Sequence, residues 1–145
     1  VAISDLVLKK PARFTPEEFE TMKTHTLHGA RLFVNKQSDF DELAQVVALN
    51  HHENWDGSGY PDGLAAGSIP FLARLLAVAD VLDALSSDRC YRRGLGFNKS
   101  VDIIRHDAGT HFDPDVAAAA VALHARADLE VPHQWREPGT PTRFT

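Results

Sequence analysis

The side chains of this chain that could do chemistry are densest in one segment, HHENWDGSGYP at residues 51–61. It begins with two adjacent histidines, His51 and His52, followed by the carboxylate of Glu53. Neutral imidazole is the commonest protein ligand of transition metals, so two in succession indicate a metal site. The glycines and proline that follow shape the backbone around one aromatic side chain, Tyr60. The alternative is a helix end followed by a plain turn.

Metal-type donors also occur at two other places along the sequence. His25 lies in a segment with helical spacing, and Asp80 interrupts the otherwise apolar run at residues 71–85. A carboxylate in such a run is costly unless it is paired, hydrogen-bonded or bound to a cation. Mixed imidazole and carboxylate ligands suit iron, manganese, zinc or nickel, and the residue types do not choose among them.

Composition places the chain among single-domain globular proteins. Its 145 residues are 43% apolar and 24% charged, and no stretch resembles a membrane span or a signal peptide. A net charge of −5 argues against nonspecific binding to long nucleic acid. The single cysteine, Cys90, cannot form an internal disulfide, so the expected compartment is the cytoplasm.

Two helices are predicted to carry the histidines. The first should begin after Thr15, which can form a capping box with Glu18, and run to about residue 34 with His25 on it. The second should open at residue 39 or 41, because apolar residues at helical spacing follow, and it should end at His51 and His52. The donors of both helices could therefore meet in one bundle core.

The rest of the chain is predicted as a long loop, three more helices and a tail. The loop covers residues 53–68, and loops of that length in compact domains are usually functional. The third helix should cover residues 71–85 at the centre of the fold, the fourth residues 99–108 with Asn98 as its cap, and the fifth should start at Asp113. No strand is expected, so the domain is all-α. It should occupy residues 1–127, followed by a flexible tail at 128–145.

A series of short motifs resembles the HD-GYP family of bacterial metal-dependent phosphodiesterases, in the family's order and spacing. The motifs are MKTH at 22–25, HHE at 51–53, DGSGYP at 56–61, AVADVLDAL at 77–85, DR at 88–89, YR at 91–92 and GTHFDP at 109–114. The resemblance covers residues 1–121. It implies an HD-domain-like bundle of about five helices with a long Gly-Tyr-Pro loop, and hydrolysis of cyclic di-GMP to the linear dinucleotide or GMP.

The resemblance also implies roles for individual positions. The metal ligands would be His25, His51, His52 and Asp80. Of these, the catalytic residues would be His51, His52 and Asp80. The substrate-binding residues would be Gly59, Tyr60, Pro61, Arg89 and Arg92. The implied cofactors are two or three divalent metal ions, with iron or manganese ahead of zinc or nickel, which activate a water without any protein nucleophile.

Two features depart from the family pattern. The family's His-Asp doublet, followed by a glycine and a lysine, should lie immediately before a segment like residues 1–5. Its place would therefore precede Val1, and we expect either a piece of a longer protein or a shortened relative. Cys90 stands where the family usually has proline, which affects only the local turn.

Three functional hypotheses follow. The first is a cyclic di-GMP phosphodiesterase in bacterial second-messenger signalling, and the second is the same hydrolase acting on another cyclic dinucleotide. The third is a catalytically incomplete module that senses a nucleotide or docks a protein such as a diguanylate cyclase domain through the Gly-Tyr-Pro loop. The other expected partners are an upstream receiver or sensor domain, as in two-component response regulators, and a second copy in a homodimer.

Overall fold

The computed structural model describes residues 3–8, 10, 12–87 and 94–127. Within them the chain forms six α-helices, one short 3₁₀ turn at Ala66–Ser68 and no strand. The helices are α1 (Asp5–Leu8), α2 (Pro16–Arg31), α3 (Asp39–Asn50), α4 (Phe71–Ser86), α5 (Phe97–His106) and α6 (Pro114–Ala127). The prediction of an all-α bundle of about five helices is confirmed, and α1 adds a single turn.

Helix α2 begins as the sequence predicts. The Thr15 hydroxyl accepts a hydrogen bond from the Glu18 amide at 3.3 Å, and the Glu18 carboxylate accepts one from the Thr15 amide at 2.7 Å. This reciprocal pair satisfies two amides that the first turn leaves without helical partners. The helix ends at Arg31, about three residues before the predicted end, and Leu32 after it is largely exposed.

Helix α3 delivers the histidine pair. Its N-cap is Ser38, whose hydroxyl accepts a hydrogen bond from the Asp41 amide at 3.2 Å. The helix ends at Asn50, and His51 is its C-cap residue. The second predicted helix is therefore present, and His51 and His52 follow its last turn.

Helix α4 contacts α3, α5 and α6. The buried core lies where α4, α5 and α6 meet, and it contains Val78, Ile104, Phe112, Val116 and Ala117. The predicted central helix is thus in contact with three others, but one side of it is uncovered, since Phe71, Leu75 and Asp80 are exposed. Helix α3 covers only part of α4, and the uncovered part forms one wall of a groove.

The starts of α5 and α6 show one wrong and one correct prediction. Asn98 does not cap α5, since that helix begins at Phe97 and the side-chain oxygen of Asn98, Oδ1, accepts a hydrogen bond from His124 Nε2 at 2.7 Å. A tertiary partner on α6 thus takes the side chain that was expected to cap locally. Asp113 does cap α6, because its carboxylate accepts the Asp115 amide at 2.8 Å.

Some predictions fall on parts of the chain that the structure does not describe. Arg89 and Arg92 lie within residues 88–93, and the predicted tail lies within 128–145, both outside the described residues. Among the described helices, none has the length and apolar character needed to cross a membrane.

Candidate metal centre

Three histidines from two helices meet at one point. His25 lies on α2, and His51 and His52 follow α3; one ring nitrogen from each lies within 4.8 Å of the other two. His25 Nε2 lies 3.3 Å from His51 Nε2. All three side chains are partly buried. The structure therefore brings together three of the four side chains that the sequence predicts as metal ligands.

The backbone fixes which nitrogen of two of these rings carries the proton. His25 Nδ1 lies 2.7 Å from the Met22 carbonyl oxygen. His51 Nδ1 lies 3.0 Å from the Ala48 carbonyl oxygen and 3.2 Å from that of Val47. A carbonyl oxygen can only accept, so Nδ1 must be the N–H donor in both neutral rings. The lone pair then lies on Nε2 in each ring.

The two Nε2 atoms consequently face each other with lone pairs at 3.3 Å. Two acceptors at that distance repel unless a cation, either a proton or a metal ion, lies between or beside them. Two ligands about 2.1 Å from one metal ion at an angle of about 105° would lie about 3.3 Å apart. The spacing and the tautomers of His25 and His51 thus fit a shared divalent ion.

His52 is also prepared to act as a neutral ligand. Its ring centre lies 4.2 Å from that of His51 and 4.9 Å from that of His25. Burial, together with the positive charge that His51, His25 and His111 carry when protonated, lowers the pKa of His52 to about 4. The ring is therefore neutral at pH 7 and its lone pair is available, which is the state that metal binding requires.

The Gly-Tyr-Pro loop packs directly on this cluster. The Tyr60 ring centre lies 4.9 Å from that of His52, and the Tyr60 amide donates to the His52 carbonyl oxygen at 3.1 Å. Tyr60 is followed by a cis peptide bond to Pro61. A side chain at Gly59 would meet main-chain atoms of residues 52–54 at 2.3–2.5 Å. Only glycine lets the loop approach the histidine segment this closely.

Tyr60 keeps its proton at neutral pH. Burial raises the pKa of its hydroxyl, and the negative charge of Asp80 raises it further. The hydroxyl can therefore donate a hydrogen bond to an anionic oxygen placed beside the histidines.

Contacts with the segment before α6 hold the loop at residues 55 and 56. The Trp55 amide donates to the His111 carbonyl oxygen at 3.0 Å, and the Asp56 amide to that of Thr110 at 2.9 Å. The Arg74 guanidinium on α4 lies 5.8 Å from the Trp55 ring centre. These contacts pack the Trp55 part of the loop onto the bundle.

Asp80 lies near the cluster but is not one of its members. Its carboxylate is not part of the group of ligand atoms within 4.8 Å, and the side chain is exposed. Asp80 and His51 both line a groove of about 890 Å³ between α3 and α4 whose other walls are apolar, including Val47 and Leu76. The assumption that an apolar helix buries this carboxylate is wrong, since Asp80 lies on the uncovered face of α4.

Sequence reasoning gave no role to two side chains that the structure places at the site. Lys23 Nζ lies 5.8 Å from the Tyr60 ring centre and 2.6 Å from the Glu20 carboxylate. The sequence feature that could have identified Lys23 is its position in the MKTH motif, two residues before His25. Glu53 directly follows the histidine pair in sequence, as a further metal ligand could, but its carboxylate accepts hydrogen bonds from backbone amides of the loop.

Comparison with known proteins defines the class. A family model described as HD domain matches residues 4–116, and the chain belongs to the HD domain family. This confirms the resemblance that the motifs indicated. The chain is 43% identical over 131 residues to a protein of Vibrio cholerae serotype O1 named cyclic di-GMP phosphodiesterase, a match that covers 87% of this chain and 27% of that protein.

Two further relatives extend the comparison. The cyclic di-GMP phosphodiesterase response regulator RpfG of Xanthomonas campestris pv. campestris is 42% identical over 130 residues, with 90% of this chain and 34% of that protein covered. A Vibrio cholerae protein named 3′3′-cGAMP-specific phosphodiesterase 2 is 35% identical over 114 residues, with 79% and 22% covered. The chain thus spans between 22% and 34% of the length of these three relatives.

Proposed function

We propose that this chain is the metal-binding part of a phosphodiesterase that hydrolyses cyclic di-GMP to the linear dinucleotide or GMP. The names of the relatives support the substrate, and membership of the HD domain family supports hydrolysis with divalent metals. The observation that carries the proposal is the pair of Nε2 lone pairs of His25 and His51 that face each other at 3.3 Å. A pair of histidines that only filled space would not need this arrangement.

His25, His51 and His52 would hold the first divalent ion, and we assign Asp80 as a further ligand across the groove. A bound divalent ion supplies a Lewis acid that lowers the pKa of water and offsets charge on a phosphoryl oxygen. Two or three ions, with iron or manganese ahead of zinc or nickel, remain the proposed complement. The neutral imidazoles suit any of these metals.

The chain's own side chains would orient the substrate. The Tyr60 hydroxyl, which stays protonated, would donate a hydrogen bond to a phosphate oxygen, while Gly59 and Pro61 shape the loop that presents it. Arg89 and Arg92 would meet the phosphates or guanines with positive charge. A fixed donor and fixed charges stabilise the negative charge that develops on phosphate during hydrolysis.

The choice of dinucleotide is a finer part of the proposal. We favour cyclic di-GMP because the relatives that are 43% and 42% identical carry that substrate in their names, whereas the 3′3′-cGAMP-specific relative is 35% identical. Turnover of the two dinucleotides by one preparation, at equal concentration, would decide between them.

The proposal is tested by metal-dependent hydrolysis. The purified protein supplied with Mn²⁺ or Fe²⁺ should linearise cyclic di-GMP, as measured by chromatography of the products. His51→Ala and Asp80→Ala should abolish turnover while the far-UV circular dichroism spectrum stays unchanged. The matched control is His106→Ala, since that side chain is 88% exposed and lies away from the cluster.

Two outcomes would contradict the proposal. One is full activity after both substitutions. The other is a protein that binds dinucleotide without metal and never hydrolyses it, which would favour a noncatalytic sensor or docking module.

We also propose the setting in which the activity operates. The relative named as a response regulator supports an upstream receiver or sensor domain as the input. A cytoplasmic location, docking of a diguanylate cyclase domain on the Gly-Tyr-Pro loop, and a homodimer stay predictions from the sequence.

A further inference from the structure

Glu53 follows the histidine pair in sequence, but its side chain lies in a different environment. The residue is 3% exposed. One carboxylate oxygen accepts the Asp62 amide at 2.8 Å, and the other accepts the Leu64 amide at 2.9 Å. Both oxygens therefore bind main-chain donors that lie nine and eleven residues further along the chain.

These two hydrogen bonds close the loop on itself. The Tyr60 amide binds the His52 carbonyl oxygen at 3.1 Å, so the loop is attached to the segment before it at residues 60, 62 and 64. Gly59 lies against the same segment with no space for a side chain. Tyr60 thus begins a short segment, residues 60–64, whose later amides are bound by the buried Glu53 carboxylate.

We propose that Glu53 is a positioning residue that fixes Tyr60 beside His52, and that it does not bind metal. A carboxylate whose two oxygens each accept a main-chain amide inside the protein is already satisfied. Without these acceptors, the amides of Asp62 and Leu64 would lose their hydrogen-bond partners, and the segment that carries Tyr60 would no longer be held against Glu53.

The test compares two substitutions that remove one carboxylate from the same loop. Glu53→Gln keeps the shape but replaces one acceptor oxygen with an amide donor, which cannot bind a main-chain N–H. Asp62→Asn is the matched control, because it makes the same chemical change on an exposed side chain. Its own main-chain amide, which binds Glu53, is retained.

The first readout is hydrogen exchange at single amides, measured by NMR on the full chain. In Glu53→Gln, the amides of Asp62, Leu64 and Tyr60 should exchange at least about ten-fold faster, because hydrogen bonds to a charged group contribute that much to closure. Amides of α2 and α3 should keep their rates, and metal content should not change. Asp62→Asn should match the wild type throughout.

The second readout rests on the proposed function and uses cyclic di-GMP hydrolysis. Glu53→Gln should raise KM by roughly ten-fold with a smaller change in kcat, the pattern expected when a substrate contact is misplaced. In a Tyr60→Phe background the same substitution should add little, because the hydroxyl that Glu53 positions is already gone. Glu53→Asp, which keeps the charge, should restore part of the loss.

The outcomes separate this inference from the proposed function. If the protein hydrolyses no dinucleotide, the exchange measurement still tests the closure by Glu53. Loss of metal in Glu53→Gln, or unchanged exchange at residues 60, 62 and 64, would overturn the inference even in an active enzyme. If Glu53→Gln does not fold, Glu53→Asp decides, because its carboxylate is one methylene shorter and should hold the amides of residues 62 and 64 less firmly. Exchange at residues 60, 62 and 64 as slow as in the wild type would then overturn the inference.

Discussion

Replacing Gly59 with alanine tests how far the Gly-Tyr-Pro loop depends on close contact with the histidine segment. The new Cβ would lie 2.3 Å from the Asn54 amide nitrogen, 2.5 Å from Glu53 Cα and 2.5 Å from the His52 carbonyl oxygen. All three are main-chain atoms, so no side chain can rotate away. The loop itself would have to move.

The required movement sets the expected effect. Non-bonded carbon contacts are comfortable at about 3.5–4.0 Å, so relief of a 2.3–2.5 Å contact needs a shift of roughly 1 Å. Crowding of this kind costs about 1–3 kcal/mol of the free energy of unfolding. A loss of about 2 kcal/mol would lower Tm by roughly 4–8 °C in a domain of this size. Misplacing a substrate contact by about 1 Å can lower the rate roughly 100-fold.

The matched control is Gly67→Ala. A Cβ at Gly67 would meet nothing within 4 Å, so this substitution adds the same methyl group in the same loop without a contact. Thermal unfolding by circular dichroism, metal content by elemental analysis, and kcat/KM for cyclic di-GMP should be measured on both variants. Gly59→Ala should lose stability and kcat/KM but keep its metal, since the histidines are held by α2 and α3.

Equal Tm and equal kcat/KM for the two alanine variants would refute the reasoning, because the contact at Gly59 would then be absent in solution. Loss of metal in Gly59→Ala would refute it in another way. The histidine cluster would then depend on the loop, contrary to the helix positions of His25 and His51.

Two further predictions concern the metal and the buried ion pair. Removing divalent ions with a chelator should lower the free energy of unfolding by about 2.7 kcal/mol, relative to protein with the free metal ion at 100 times its Kd. Calorimetry should show no such difference for His25→Ala. An equal difference in that variant would contradict metal binding by the His25 ring. Asp113→Asn should lower the free energy of unfolding in urea by about 3 kcal/mol, because it removes the buried negative charge that lies 2.6 Å from the partly buried Arg74 guanidinium. Asp102→Asn, which removes the charge of an exposed ion pair with Arg105, should change the free energy of unfolding little. Equal losses in the two variants would contradict the reasoning, because burial of Asp113 would then add nothing to its ion pair.

Local sequence signals accounted for most of the fold. Thr15 and Glu18 lie three residues apart, so their capping box needs nothing from the rest of the chain, and the first long helix starts where it was predicted. The start of α6 at Asp113 and Pro114 was predicted correctly for the same reason. Asn98 failed because its side chain binds His124, twenty-six residues away, and no local rule contains that contact.

The candidate site was predictable in its residues but not in its geometry. The motifs pointed to His25, His51 and His52, and the structure brings these three rings together. The backbone bonds that turn the Nε2 atoms of His25 and His51 toward each other could not be read from the sequence, since they depend on ring orientation. Nor could the exposure of Asp80, which follows from how much of α4 the preceding helix covers.

The site divides its tasks between two kinds of structure. His25 and His51 are placed by helices, with their rings fixed through carbonyl oxygens of their own helices at 2.7 Å and 3.0 Å. Tyr60 lies in a loop, which hydrogen bonds to the His52 carbonyl oxygen and the Glu53 carboxylate hold in place. The two parts meet at His52, whose ring contacts Tyr60 and whose carbonyl oxygen accepts the Tyr60 amide. Such a loop can differ in sequence without disturbing the metal ligands. Differences in substrate among relatives with this arrangement should therefore be sought first in the loop, and only then in the histidines.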